Sequence, residues 1–221
     1  MSINPAEYGF TEISPDDYFQ FFCSGCGDCC RKVKNSVMVE TLDLYNIAKF
    51  LSIEMSDVIT RYTDTVFVAP SFPIMMLKTK QHGDSCVFLK AARCSIQDGK
   101  PRTCRLYPLG VGPDDERPEN WQTFIVSKKQ HHFTGQRRRV RDWISENLTQ
   151  ADRDFMVADY KYTGELARLI KSIDNRHKDE IVRLVLYFKY IAYDMAADFM
   201  PQFTRNMDEL KRQLKRLGER S

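Results

Sequence analysis

Seven cysteines confined to residues 23–104 constrain this chain more than any other feature of its 221 residues. Four fall within eight residues as Cys23-x2-Cys26-x2-Cys29-Cys30, and three follow as Cys86-x7-Cys94-x9-Cys104. The stretch after Cys104 has none. A thiolate is a soft, negatively charged ligand that suits zinc, copper(I) and iron–sulfur clusters. At this spacing several sulfurs lie within a few ångströms of one another before the rest of the chain has folded. The pattern reads as a metal site. Gly25 and Gly27 alternate with the cysteines, as expected where backbone curls around an ion and aims its N–H groups at sulfur.

Disulfides are the rival reading. Seven is an odd number, and adjacent Cys29-Cys30 allow only a strained bridge. The opening residues Met1-Ser2-Ile3-Asn4-Pro5-Ala6-Glu7 carry neither the basic nor the apolar region of a secretory signal, so the expected address is a reducing cytoplasm. No apolar stretch approaches the ~18–20 residues that span a bilayer. A third reading, buried apolar cysteines, fits poorly with neighbours that are Gly, Ser, Asp and Arg.

A chain with 43% hydrophobic and 29% charged residues has the make-up of a globular protein of one large domain or two small ones. Its formal charge of +3 neither demands nor excludes a polyanionic partner. Ser14-Pro15 predicts a helical turn running to Tyr18, with Phe19, Phe21 and Phe22 packed beneath the cysteines. Ser36–Val39 reads as a strand, and helices are expected from Thr41 and from Ser52. Val66 to Leu77, broken by Pro70 and Pro73, predicts short strands or extended loop. Asp98-Gly99 is a hairpin-turn signal, and Trp121 to Ser127 reads as a strand. The chain turns helical from about residue 136. Its longest apolar-periodic segment, Lys178 to Met200, is expected to end at Pro201, with a last helix over about 204–217.

The segments Phe22-Cys23-Ser24-Gly25-Cys26-Gly27-Asp28-Cys29-Cys30-Arg31, Cys86-Val87-Phe88-Leu89, Cys94-Ser95-Ile96 and Lys100-Pro101-Arg102-Thr103-Cys104-Arg105-Leu106-Tyr107-Pro108-Leu109 together resemble the YkgJ-type cysteine-cluster family. That family is known by its CxxCxxCC signature and named for zinc or iron chelation. The resemblance implies a small cysteine-rich metal-binding module with short strands and helices over residues 20–148; the helical periodicity beyond it adds an α-helical C-terminal extension over 149–221 packed on the module, giving an α+β class overall. Two departures stand out. Lys100 replaces the family's usual Arg before Pro101, and His131-His132 stand about where many relatives carry a further cysteine segment. An imidazole can take a thiolate's place on zinc or iron. The alternative is a pair of surface histidines on a loop.

The candidate ligands are therefore Cys23, Cys26, Cys29, Cys30, Cys86, Cys94, Cys104, His131 and His132. Seven thiolates exceed the four ligands of a structural zinc. This leaves one four-thiolate site, a polynuclear site with bridging sulfurs, or two sites completed by a histidine. Zinc leads, with iron or a [4Fe–4S] cluster as the alternative. Arg31, Lys32, Arg102 and Arg105 flank the ligands and would offset thiolate charge. The expected function is metal binding in the service of metal handling, redox sensing or partner assembly. Metal ions are the expected partners, together with a protein partner or a second copy bound through the C-terminal helices, where the stripe of Tyr187, Tyr190 and Tyr193 reads as core or a dimer face. Any catalysis would belong at an open metal position, in the chain itself or in a modifying enzyme it accompanies. Arg137-Arg138-Arg139-Val140-Arg141, near Lys128 and Lys129, admits a zinc-stabilised nucleic-acid binder, but a charged first turn of a solvent-facing helix is the preferred reading.

Overall fold

A computed structural model describes residues 10–69, 71–113, 121–126 and 130–220. Met1–Glu7, Pro70, Ser127, Lys128 and Lys129, named above, lie outside them. The chain opens with strands β1 (Phe10–Glu12) and β2 (Tyr18–Gln20), then β3 (Met38–Val39), helices α1 (Thr41–Leu51) and α2 (Met55–Tyr62), and strands β4 (Thr63–Ala69) and β5 (Phe72–Leu77). There follow β6 (Leu89–Lys90), β7 (Arg93–Cys94), α3 (Arg102–Leu106), β8 (Leu109–Pro113), β9 (Trp121–Val126) and β10 (Arg137–Arg139). The rest is helical: α4 (Val140–Asn147), α5 (Gln150–Ser172), α6 (Lys178–Val185), a π-helical turn over Leu186–Ile191, and α7 (Phe199–Gly218). The class is α+β, with small sheets in the cysteine-bearing part and a helical C-terminal region.

Two antiparallel pairings between distant segments position the site. β1 pairs with β9, Thr11 opposite Ile125, and β2 pairs with β10, Phe19 opposite Arg138. Together they draw residues 10–22 alongside residues 121–126 and 130–139. The Phe22 N–H then donates to the His132 carbonyl at 3.0 Å, so the cysteine loop that begins at Cys23 starts beside the histidine pair.

α1 begins in a capping box, in which the Glu40 side chain accepts from the Asp43 backbone and the Asp43 side chain accepts from the Glu40 N–H. Leu44, Ile47 and Ala48, at helical spacing, are fully buried. They join a core that also holds Met75 of β5 and Phe155, Leu166, Ile181, Phe203, Leu210 and Leu214 of the C-terminal helices. One apolar cluster thus runs from Val39 to Leu217. Among the described residues no helix is long and apolar enough to cross a membrane.

Four expectations differ from the structure. Ser14–Tyr18 is not helical: Asp17 N bonds Ser14 O at 3.0 Å in a single turn, and the chain then extends into β2. The hairpin of the second cysteine block turns at Ala91-Ala92 (φ 46° and 63°), not at Asp98-Gly99. Gly99 instead lies flat on Phe50, where an added Cβ would sit 2.8 Å from the Phe50 Cβ. Arg137–Arg139 form strand β10 and not a helical first turn, because β2 offers them a partner; the helix starts at Val140. Pro201 does not end a long helix. It sits in the first turn of α7, where a missing N–H costs nothing.

Candidate metal centre

The cysteine loop owes its path to two glycines. Gly25 and Gly27 have φ of 70° and 72°, which a β-carbon disfavours, and a short 3-10 turn over Asp28–Cys30 follows. Gly27 rests on the β6–β7 hairpin, where an added Cβ would lie 2.5 Å from the Ala92 carbonyl oxygen and 2.9 Å from Leu89 Cδ1. The Cys86 N–H donates to the Cys30 carbonyl at 2.8 Å. The two cysteine blocks are stitched together by backbone.

This arrangement leaves a cavity of about 630 Å³. Five cysteines line it: Cys29 and Cys30 from the 3-10 turn, Cys86 at a bridge to Thr79, Cys94 on β7 and Cys104 on α3. Its polar lining includes Asp28, Arg31, Lys32, Lys100 and Tyr107, and its apolar wall includes Val37, Leu77, Phe88 and Ile96. All seven cysteines are free thiols, and the Cys29 and Cys30 sulfurs lie 3.8 Å apart. The Cys29 thiol is pulled down by its hydrogen bond with Cys30, with Lys100 adding to the effect against burial. Cys30 is driven up by the same bond and by burial. Burial also raises Cys86 and Cys104. Protons therefore cling to most of these sulfurs in the absence of a cation, and a divalent ion is the species that can displace them together.

A second group lies beside this cavity. Among the described residues, Cys26, Asp28, His131 and His132 offer ligand atoms all within 4.8 Å of one another. Cys26 Sγ is 3.1 Å from His132 Nε2 and 3.9 Å from His131 Nε2, and His131 Nε2 is 3.0 Å from Asp28 Oδ2. The Cys26 thiol is lowered to about 6, chiefly by the Asp28 backbone N–H and then by the two imidazoles. His132 is 4% exposed, its ring edge-on to Phe21, so it is no surface histidine; His131 is exposed.

 Eight of the nine candidates are therefore gathered into two adjoining groups, and Cys23 alone stands apart from both. The flanking cations divide as well. Arg31 binds Asp28 Oδ1 at 2.6 Å and the Cys26 carbonyl at 2.7 Å, and Lys32 lines the cavity. Arg102 instead pairs with Glu40, and Arg105 with Asp152 at 2.6 Å, so both serve the fold.

Sequence reasoning missed three residues. Asp28 sits inside the cysteine motif, where its sulfur-bearing neighbours are the more conspicuous donors. Lys100 reads from the sequence only as a substitution for Arg. Tyr107 reaches from the cavity wall to His132 Nδ1, 2.9 Å from its hydroxyl, and no spacing rule announces it. Its phenol is held up at about 12 by burial and by the nearby Cys29 and Cys26.

Residues 22–132 match the sequence family described as CxxCxxCC, putative zinc- or iron-chelating domain. No solved structure matches the chain.

Proposed function

The chain belongs to the CxxCxxCC family, and from that premise we propose that it binds zinc or iron through Cys29, Cys30, Cys86, Cys94 and Cys104. The convergence of five thiols from separate chain segments on one cavity carries this reading. Sulfur donors in this number suit zinc, iron or an iron–sulfur cluster. Zinc outcompetes ferrous iron at a bare thiolate site, so zinc is the ion expected in aerobically isolated protein. The role is metal handling, redox sensing or assembly with a partner, in a reducing cytoplasm where the thiols stay available. A protein partner or second copy would dock through the C-terminal helices, where Tyr187 and Ile191 are exposed.

Metal analysis of anaerobically prepared protein tests the reading. At least one tightly bound ion per chain is expected, and less than one refutes it. Brown protein with iron and acid-labile sulfide would replace zinc with a cluster and turn the role toward electron transfer or redox sensing.

A second reading has one observation in its favour. About 630 Å³ is far more room than one ion needs and falls within the range of small-molecule pockets. A metalloenzyme with an open position would use that space for substrate. Nucleic-acid binding gains no such support. Arg137 stacks over Tyr18 at 4.4 Å, Arg138 pairs with Glu146, and Arg139 and Arg141 both pair with Asp16.

A further inference from the structure

We propose that Cys26, Asp28, His131 and His132 form a second metal site, adjoining the thiolate cavity that Asp28 also lines, that takes a single divalent cation of the zinc class. The proposal deepens the metal-binding reading, resting on it for the chain's role and on its own geometry for the site.

Tetrahedral zinc with bonds of about 2.3 Å to sulfur and about 2.1 Å to nitrogen or oxygen separates sulfur from nitrogen by about 3.6 Å, and nitrogen from oxygen by about 3.4 Å. The corresponding separations here are 3.1 and 3.9 Å for Cys26 to the two imidazoles and 3.0 Å for His131 to Asp28. These three separations lie within about half an ångström of the tetrahedral values, and all four ligand atoms lie within 4.8 Å of one another. One thiolate, one carboxylate and two neutral imidazoles balance a 2+ charge. Four thiolates would leave about −2 on the same ion. The mixed group is thus the harder, electrically neutral site of the pair, open to solvent through His131.

The surroundings orient these donors. Arg31 holds Asp28 Oδ1 at 2.6 Å while Oδ2 faces His131. Tyr107 holds His132 by Nδ1, which leaves Nε2 facing Cys26. A neutral imidazole that binds metal through Nε2 keeps its proton on Nδ1 and donates it to the phenol oxygen. Tyr107 also lines the cysteine cavity, so it is a positioning residue standing between the two sites.

Titrating metal-free, reduced protein with Co²⁺ under anaerobic conditions tests this. Two steps are expected, a tighter one with strong sulfur-to-cobalt charge transfer and a weaker one with the intensity of a single Co–S bond. His131→Ala and His132→Ala weaken the second step at least tenfold and leave the first unchanged, and Asp28→Asn weakens the second step at least tenfold. Tyr107→Phe weakens the second step by about tenfold, the usual effect of removing an outer partner of a histidine ligand. If the buried His132 variant does not fold by circular dichroism, the Asp28 and His131 variants carry the same expectation. Variants that leave both steps unchanged overturn the proposal. So does the joint loss of all cobalt in these variants and in Cys104→Ser, which would mean a single shared site and leave the metal-binding reading intact. A wild-type chain that binds no cobalt removes both.

Discussion

Gly27 carries more of the site than its lack of a side chain suggests. Its left-handed conformation turns the chain between Cys26 and Cys29, and its bare α-carbon lets the loop touch the Ala91-Ala92 turn. Gly27→Ala adds backbone strain to a clash with the Ala92 carbonyl, which cannot swing away as a side-chain tip would. The expected cost is on the order of 1–3 kcal/mol in urea denaturation, with weakened metal binding. Gly110→Ala is the control. It lines the cavity, but nothing lies within 4 Å of its added Cβ, so a change within about 0.5 kcal/mol is expected. Equal effects at the two positions would contradict this account of the loop.

At the scale of elements, α5 is tied to the cysteine-bearing part through its first turn. Asp152 closes a capping box with Thr149 and binds the Arg105 guanidinium of α3 through both oxygens, at 2.6 and 3.0 Å. Burial alone would raise the Asp152 carboxyl, but the hydrogen bonds from Arg105 and Thr149 outweigh it and hold the carboxyl below its ordinary 3.8. A pKa depressed by folding stabilises the protein above the unfolded value, and this stability is lost as pH falls through the folded one. Asp152→Asn should cost about 3 kcal/mol at pH 7 in urea denaturation, with a smaller cost once the pH falls below the lowered pKa of the folded carboxyl. A cost independent of pH would show that shape and not charge holds this junction.

Asp43 works in the opposite sense. Burial first, and then the neighbouring Glu40, push its carboxyl up to about 6. A carboxyl raised by folding costs stability as pH climbs from the unfolded 3.8 through about 6. Asp43 nevertheless accepts from the Glu40 and Arg102 backbone N–H groups, fixing the start of α1 against α3, the helix that carries Cys104.

In the whole molecule a single core couples the helices to the metal centre. Phe203, fully buried on α7, packs against Phe155 at 5.1 Å and Phe199 at 5.7 Å in the cluster that also contains Cys86. Phe203→Ala should cost about 3–5 kcal/mol. Loss of helix and release of metal should then occur at the same urea concentration, because the cavity wall and the helices rest on the same side chains. Two separate transitions would show that the helices unfold without the metal module. Metal removal should act on the same unit. An ion present at 100 times its dissociation constant adds about 2.7 kcal/mol. Chelation should therefore lower the thermal midpoint by about 5–10 °C. An unchanged midpoint after complete chelation would mean that the cavity is formed without help from the ion.

The closeness of Cys26, Cys29 and Cys30, the need for glycine between them and the α+β class were all legible in the sequence, because spacing and backbone freedom are local properties. The long helices could be read for the same reason, since their apolar period repeats within a few turns. What the sequence left open depended on partners far along the chain. His131 and His132 read more readily as loop bystanders than as ligands until the β2–β10 pairing set them beside Cys26. Arg137–Arg139 read as a helical turn because their strand partner lies over a hundred residues earlier. The division of the ligands into a five-thiol cavity and a mixed Cys–Asp–His group was decided by tertiary structure alone, because it depends on which sulfurs face which side of the Asp28–Cys30 turn once the hairpin, α3 and the histidine segment have closed around it.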